Sequence, residues 1–169
     1  MYDVAIVGGG LVGASFALDL VQQNENLSIA FIERTEPNFS ENQSGFDNKI
    51  YAISPSNLEH LSKLGVKPDW SKIGTINAMN VRGNQNSAIE FDKAACKGQY
   101  LAKIVEYRNL HHAVLLKLKQ YPQIRFIYTN LKDAKMYETS VELLNDADEV
   151  IQAKWLVAAD GANSFVRNK

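Results

Sequence analysis

The first residues whose types and spacing suggest chemistry are three glycines near the N-terminus, arranged as Gly8-x-Gly10-x-x-Gly13. A short apolar run precedes them and a helical pattern follows. In such a setting the first glycine permits a tight turn, the second lets the backbone approach a pyrophosphate, and the third allows close helix–strand packing. The N–H groups at the start of the helix would then face the phosphates. The motif therefore predicts a dinucleotide-binding turn.

An acidic residue, Glu33, stands twenty residues after Gly13, at the end of the next apolar run. A carboxylate at this place can accept hydrogen bonds from an adenosine ribose, and it would repel a 2′-phosphate. The alternative is a structural glycine turn with a solvated glutamate, and the complete strand–helix–strand context argues against it. At this point FAD and NAD fit the pattern equally well.

A second candidate site lies near the other end of the chain, where Asp160-Gly161 follow the apolar run 155–159. Ligands of open α/β sheets bind outside the carboxyl ends of the strands. A carboxylate there can hold the hydroxyls of a polyol, and a glycine lets a cofactor approach the main chain. Asp-Gly alone is a common turn, so this pair is informative only as the partner of the glycine motif.

The elements that must position these residues begin with a strand over 2–7, a helix over 11–23 and a strand over 27–33. The helix carries one apolar stripe, made by Ala14, Ala17, Leu18 and Val21. This β-α-β opening predicts a parallel, doubly wound α/β sheet.

The remaining pattern predicts a long polar loop over 35–48 and then a series of further elements. Helices are expected over 55–64 and 106–120, and strands over 75–82, 87–92 and 124–129. A hairpin of 134–144 and 149–154 would turn at Asn145-Asp146. Trp70 and Trp155 are expected in the core. We predict one main domain formed by 1–72 and 96–169, with 73–95 as an excursion into a second one.

Composition limits the class of protein. The chain has 169 residues, 46% of them hydrophobic, and a net charge of −1, which does not suggest a nucleic-acid partner. Its one cysteine, Cys96, cannot form an internal disulfide and suits a reducing, cytoplasmic location. No signal peptide and no spanning helix are expected. His111 and His112 are adjacent and diverge by about 100° on a helix, so we expect no metal site.

At this point the sequence resembles a known family. The glycine motif, Glu33-Arg34 and the stretch 159–167 are similar to the FAD motifs of class A flavoprotein aromatic hydroxylases, which have the p-hydroxybenzoate hydroxylase fold. Two further segments resemble the ubiquinone-biosynthesis hydroxylases within that group: Gly45-Phe46-Asp47-x-Lys49-x-x-Ala52-Ile53-Ser54 and Val105-Glu106-x-Arg108-x-Leu110. The resemblance implies a Rossmann-like FAD-binding domain with a β-meander and part of a second, substrate-side sheet.

The resemblance also implies roles for individual residues. The three glycines would lie under the pyrophosphate, Glu33 would bind the adenosine ribose and Arg34 would lie against the adenine. Asp160 would hold the pyrophosphate–ribityl region, with Gly161 allowing close approach.

Two further cofactor contacts are implied later in the chain. Lys49 occupies a place where the family usually has Arg, which keeps the charge but loses the planar fork of donors. Arg108 follows Tyr107, at a place where relatives often carry a polar or basic flavin contact.

The activity implied is hydroxylation of a polyprenylated phenol or quinol ring, with FAD as cofactor, NAD(P)H as electron donor and O2 as oxidant. A substrate of that kind implies peripheral association with the inner membrane or with a ubiquinone-biosynthesis complex. Two alternatives stay open: an FAD-dependent reductase or dehydrogenase, and a free-standing, non-catalytic nucleotide-binding module. The family's third FAD motif and its C-terminal substrate region are absent, so we expect an incomplete, inactive N-terminal fragment.

Overall fold

A computed structural model of the chain describes residues 1–39, 46–83, 87–94 and 99–169. Gly45 and Cys96, which were considered above, lie outside the described residues. The strands and helices, in chain order, are β1 (Tyr2–Val7), α1 (Leu11–Gln23), β2 (Ile29–Glu33), β3 (Ile50–Ile53), α2 (Pro55–Lys63), β4 (Gly74–Ile76), β5 (Ala78–Arg82), β6 (Ala88–Asp92), β7 (Ala102–Glu106), α3 (Tyr107–Leu118), β8 (Ile124–Tyr128), β9 (Leu131–Met136), β10 (Val141–Asn145) and β11 (Val150–Ala158).

The chain divides into two compact units. The first consists of Met1–Ser40 and Val114–Lys169, and the second of Glu41–Ala113. One of the two boundaries between them, that between Ala113 and Val114, falls within α3. The expected domains, 1–72 with 96–169 and 73–95, stay a prediction.

The first unit contains a six-stranded sheet in the order β8-β2-β1-β11-β10-β9. The four strands from β8 to β11 are parallel, and β9, β10 and β11 form an antiparallel meander. Apart from Asp3 near the start of β1 and Glu33 at the end of β2, these two strands are apolar throughout, because a parallel strand is buried on both faces. The expected α/β class, with a parallel sheet and a meander, is confirmed.

Alternate residues of these strands build the core of the first unit. One cluster joins residues of the parallel strands to residues of the meander: Ala5, Val7, Ala30, Ile32, Val141, Leu143, Ile151 and Ala153. Helix α1 packs on β1 and buries the predicted stripe. Burial of Leu18 and Val21 stabilises the fold by about 1.5–3 kcal/mol each.

The strands of the meander differ from the prediction in their bounds. The expected strand 134–144 is two strands, β9 and β10, which are joined by a turn in which the Tyr137 N–H donates to the Ser140 carbonyl. No glycine or proline marks that turn. The two runs 149–154 and 155–159 are instead one strand, β11, which pairs with β10 over its first residues and with β1 over its last.

The second unit contains a three-stranded antiparallel sheet, β3-β7-β4, and a two-stranded ribbon, β5-β6. Helix α2 begins where Ser54 accepts a hydrogen bond from the Asn57 N–H, with Pro55 in the first turn. Strands β3 and β7 were not predicted, since apolar runs of four or five residues do not distinguish strand from helix.

The expectation that both tryptophans lie in the core is wrong. Trp70 is 54% exposed and Trp155 is 72% exposed. Trp155 lies on β11 opposite Val4, in the part of the strand that extends past its pairing with β10.

Two features are absent from the described residues. No helix in the described ranges is both long and apolar enough to cross a bilayer. The same ranges contain no group of three or more His, Cys, Asp or Glu side chains arranged to hold a metal ion.

Candidate functional site

A cavity of about 600 Å³ opens in the first unit, at the edge where the parallel strands end. Its wall is formed at the ends of four neighbouring strands: Gly8 and Gly10 after β1, Glu33 and Arg34 at the end of β2, Thr129–Leu131 after β8 and Ala159–Asn163 after β11. The volume is typical of small-molecule and cofactor pockets. The structure thus brings together the two motifs that are 150 residues apart in sequence.

The glycine turn leaves no room for side chains at two of its positions. Gly8 has φ of +106°, and a Cβ there would overlap the Ala159 carbonyl oxygen. A Cβ at Gly13 would overlap the Gly8 carbonyl oxygen. Glycine is therefore required at both positions. At Gly8 it is required for the backbone conformation and for close packing, and at Gly13 for close packing.

The N-terminus of α1 faces the same turn. Gly10 is the N-cap residue, and the Ala14 N–H donates to its carbonyl at 2.9 Å. Within the described part of the chain, no side chain caps this terminus, and its first turn holds no acidic residue. Its N–H groups and partial positive charge suit an anionic group such as a diphosphate.

The Glu33 carboxylate is held at the end of β2 by two backbone donors. Its Oε2 accepts from the Gly9 N–H at 2.6 Å, and its Oε1 accepts from the Arg34 N–H at 2.7 Å. A carboxylate offers about four lone-pair positions. The side chain is fixed in orientation and still has acceptor capacity for ribose hydroxyls.

Gly9 is a site residue that the sequence interpretation missed. A Cβ at this position would lie 3.0 Å from the Glu33 Cβ and 3.2 Å from its Oε2. Gly9 is thus the glycine that lets the glutamate side chain lie flat against the turn. A third glycine between two motif glycines was the available signal.

Asp160 has one carboxylate oxygen that is satisfied within the chain and one that is not. Its Oδ2 accepts from the N–H groups of Phe165 at 2.7 Å and Val166 at 3.2 Å. Its Oδ1 is buried and has no hydrogen-bond partner among the described residues. A buried acceptor without a partner is rare in native proteins, so the carboxylate of Asp160, a residue that lines the cavity, keeps acceptor capacity that the described residues do not use.

The protonation state of Asp160 supports that role. Burial raises the pKa of its carboxyl, but hydrogen bonds from the Ser164 hydroxyl and from backbone N–H groups outweigh burial and hold the pKa below its ordinary value. Asp160 is therefore a charged acceptor at neutral pH. Next to it, Gly161 has φ of +83° with open space around a Cβ position, so this glycine is needed for conformation alone.

The segment Thr129–Leu131 was also missed as part of the pocket. It follows β8, the outermost parallel strand, and its place at a carboxyl end of a strand was the available signal. β8 pairs with β2 although the two strands are far apart in the sequence. The sequence alone therefore did not reveal that this segment lies beside Glu33.

Lys49 and Arg108 belong to the second unit and have partners there. The Lys49 ammonium lies 4.0 Å from the centre of the Tyr107 ring and 5.6 Å from that of Tyr51. The Arg108 Nε lies 3.5 Å from Asp47 Oδ2, which also accepts the Arg108 backbone N–H at 3.0 Å. The roles of both residues as cofactor contacts stay predictions, as do those of the residues in the cavity.

Several known proteins similar to this chain are named as hydroxylases or monooxygenases. The chain is 32% identical to the 3-demethoxyubiquinol 3-hydroxylase of Escherichia coli (strain K12), over 98% of this chain and 42% of that protein. It is 27% identical to the mitochondrial ubiquinone biosynthesis monooxygenase COQ6 of Caenorhabditis elegans, over 99% of this chain and 39% of that protein. The expected resemblance to ubiquinone-biosynthesis hydroxylases is confirmed. The chain spans about two fifths of the length of these relatives.

The fold is shared with solved monooxygenase structures. The p-nitrophenol 4-monooxygenase PnpA from Pseudomonas putida DLL-E4 superposes with a TM-score of 0.74 at 20% identity, over 100% of this chain and 43% of that one. Among family models, the one described as an FAD binding domain matches residues 1–169. The chain therefore belongs to the FAD-binding-domain family.

Proposed function

We propose that this chain is the FAD-binding part of a flavin-dependent monooxygenase that hydroxylates a polyprenylated phenol or quinol ring. NAD(P)H would supply two electrons and O2 two oxygen atoms, one of which enters the ring and the other leaves as water. The substrate class rests on the names of the relatives. The cofactor rests on family membership together with one observation, the unsatisfied carboxylate oxygen Oδ1 of Asp160, a residue that lines the cavity.

The order of the strands suggests how the cofactor is arranged. Adjacent strands are about 4.8 Å apart, so the edge from β8 to β11 spans about 14 Å. Glu33, after β2, would bind the adenosine ribose, and the turn after β1 would bind the diphosphate. Asp160, after β11, would bind hydroxyls of the ribityl chain. This order follows the order of groups along FAD.

Bound FAD supplies the redox chemistry that activates O2 for attack on an electron-rich ring. The residues of this chain bind and orient it. The α1 N-terminus would offset the charge of the diphosphate, and the side-chain oxygens of Glu33 and Asp160 would accept hydrogen bonds from hydroxyls. Arg34, an exposed residue among those that line the cavity, would lie against the adenine.

A polyprenylated substrate also bears on location. Because such a molecule resides in a membrane, we propose a cytoplasmic protein that is peripheral to the inner membrane and contacts that membrane or a ubiquinone-biosynthesis complex.

The cofactor proposal is tested with the isosteric change Asp160→Asn. The amide keeps an oxygen for the Phe165 and Val166 N–H groups and loses the charged acceptor, so the dissociation constant for FAD should rise about tenfold. Quenching of flavin fluorescence on titration measures it. Asp133→Asn is the control, since that carboxylate pairs with Lys169 and is not among the residues that line the cavity. Equal affinities in all three proteins would contradict a contact between Asp160 and FAD.

The activity proposal is tested on the full-length protein. With a polyprenylated phenol present, consumption of O2 and NAD(P)H should match formation of hydroxylated product one to one. Comparing NADH with NADPH identifies the donor. Oxidation of the donor and reduction of an acceptor without O2 uptake would instead identify a reductase or dehydrogenase.

A further inference from the structure

The segment Thr129–Leu131 bounds one end of the cavity. It joins β8 to β9, and the Thr129 N–H donates to the Glu33 carbonyl oxygen at 2.8 Å. Since β8 is the outermost parallel strand, this segment lies on the side of Glu33 away from the glycine turn. If the ribose binds at Glu33, the base attached to it lies against this segment.

The segment is held from outside the cavity by one carboxylate, that of Asp146. The Thr129 hydroxyl donates to Asp146 Oδ1 at 3.1 Å, and the Asn130 side-chain amide donates to Asp146 Oδ2 at 3.1 Å. The Asp146 N–H in turn donates to the Asn130 carbonyl oxygen at 3.0 Å. Both carboxylate oxygens are therefore used, each by a different residue of the segment.

The support itself is a hydrogen-bonded turn between β10 and β11. Asn145 is 2% exposed, and its Oδ1 accepts from the N–H groups of Ala147 at 3.0 Å and Glu149 at 2.8 Å. The hydrogen bonds from Asn130 and Thr129 lower the pKa of the Asp146 carboxyl. Asp146 is thus an ionised acceptor on a fixed turn at neutral pH.

We propose that Asp146 is a positioning residue for the adenosine end of FAD. It does not line the cavity and would not contact the cofactor. It acts by fixing Thr129–Leu131, so that the wall is formed before the base arrives and less ordering is needed on binding. This inference rests on the proposed binding of FAD in the cavity.

The test compares two isosteric variants that lose the same charge from the same turn. In Asp146→Asn, one acceptor oxygen becomes an N–H donor, so Thr129 or Asn130 loses its partner. In the control, Asp148→Asn, the change removes an exposed ion pair with Lys132. Asp148 has φ of +63°, a conformation that Asn tolerates.

Each variant is titrated with ADP and, separately, with inorganic pyrophosphate, and NMR shifts of the backbone amides report binding. The dissociation constant of Asp146→Asn for ADP should rise about fivefold, as for loss of one ordinary hydrogen bond. Its affinity for pyrophosphate, which lacks the base, should stay unchanged. Asp148→Asn should bind both ligands like the unaltered chain.

A second variant reports on the same contact from the other side. Thr129→Val removes the hydroxyl that donates to Asp146 Oδ1. In the double variant, which combines Thr129→Val with Asp146→Asn, the one amide oxygen left at position 146 can accept from Asn130. The affinity of the double variant for ADP should therefore be no lower than that of Asp146→Asn alone.

Three outcomes would overturn the inference. The first is unchanged ADP affinity in Asp146→Asn, and the second is an equal loss for ADP and pyrophosphate, which would indicate a general defect of the fold. The third is the absence of ADP binding by the unaltered chain, which would also refute the proposed function. The first two leave that function standing.

Discussion

The residues of the cavity divide into those that the sequence could reveal and those that it could not. The sequence predicts Gly8, Gly13, Glu33 and Asp160, because a dinucleotide-binding turn needs glycines at a fixed spacing and carboxylates at the ends of strands. Gly9 and Thr129–Leu131 were missed because their place depends on contacts with residues far along the chain. At the residue scale, the motifs predict residues that would face a ligand, and the structure adds residues that contact and orient them.

Gly9→Ala tests the most specific of these orienting contacts. The added methyl group lies 3.0–3.2 Å from three atoms of Glu33, which must shift by a few tenths of an ångström. The hydrogen bond from the Gly9 N–H to Glu33 would lengthen, and we expect the dissociation constant for FAD to rise about fivefold. The free energy of unfolding should change by about 1 kcal/mol or less.

The matched control for that change is Gly74→Ala in β4. A Cβ at Gly74 lies 3.6 Å from the Ile104 Cβ, an ordinary contact. FAD titrations should not distinguish this variant from the unaltered chain. A Gly9→Ala protein that binds FAD with undiminished affinity would show that the position of Glu33 does not depend on Gly9.

At the scale of elements, continuous apolar runs and helical stripes predicted β1, α1, β2, α2 and α3 close to their observed bounds. The errors have physical causes. The turn between β9 and β10 lacks the residues that usually mark a turn, and β11 is one strand with two different partners. Strand pairing, which no local pattern encodes, decided these cases.

One ion pair joins three neighbouring strands at the end opposite the cavity. The Asp3 carboxylate, on β1, accepts hydrogen bonds from the Ser28 N–H at 2.9 Å, from the Ser28 hydroxyl at 2.7 Å and from the Lys154 ammonium, on β11, at 2.7 Å. The bond from Lys154, followed by those from Ser28, lowers the pKa of Asp3 far below its ordinary value. The contact ties β1 to β11 and to the start of β2.

The sign of the resulting pH dependence is defined. The folded-state pKa of Asp3 is depressed, so its contribution to stability is complete above its unfolded-state pKa, about 3.9, and is lost as the pH falls below that value. Asp3→Asn should therefore lower the urea midpoint at pH 7, and the difference from the unaltered chain should shrink by pH 3. Lys154→Gln should show part of the same effect. An equal difference at both pH values would contradict the ionic origin of this contribution.

At the scale of the whole molecule, the sequence predicted the fold class, while the order of strands in each sheet required the structure. The order β8-β2-β1-β11 explains how two motifs at opposite ends of the chain come to share a cavity. It could not be derived from the sequence, because the run that forms β8 is separated from its partner β2 by about ninety residues.

The exposure of both tryptophans has a consequence for spectroscopy. The chain has two, Trp70 and Trp155, one in each unit and both more than half exposed. An indole in contact with water already emits at long wavelength, so unfolding should shift the emission of this chain little. Thermal unfolding is therefore better followed by circular dichroism. Trp155 lies in the same unit as the cavity, so quenching of its emission by energy transfer would report a flavin bound there.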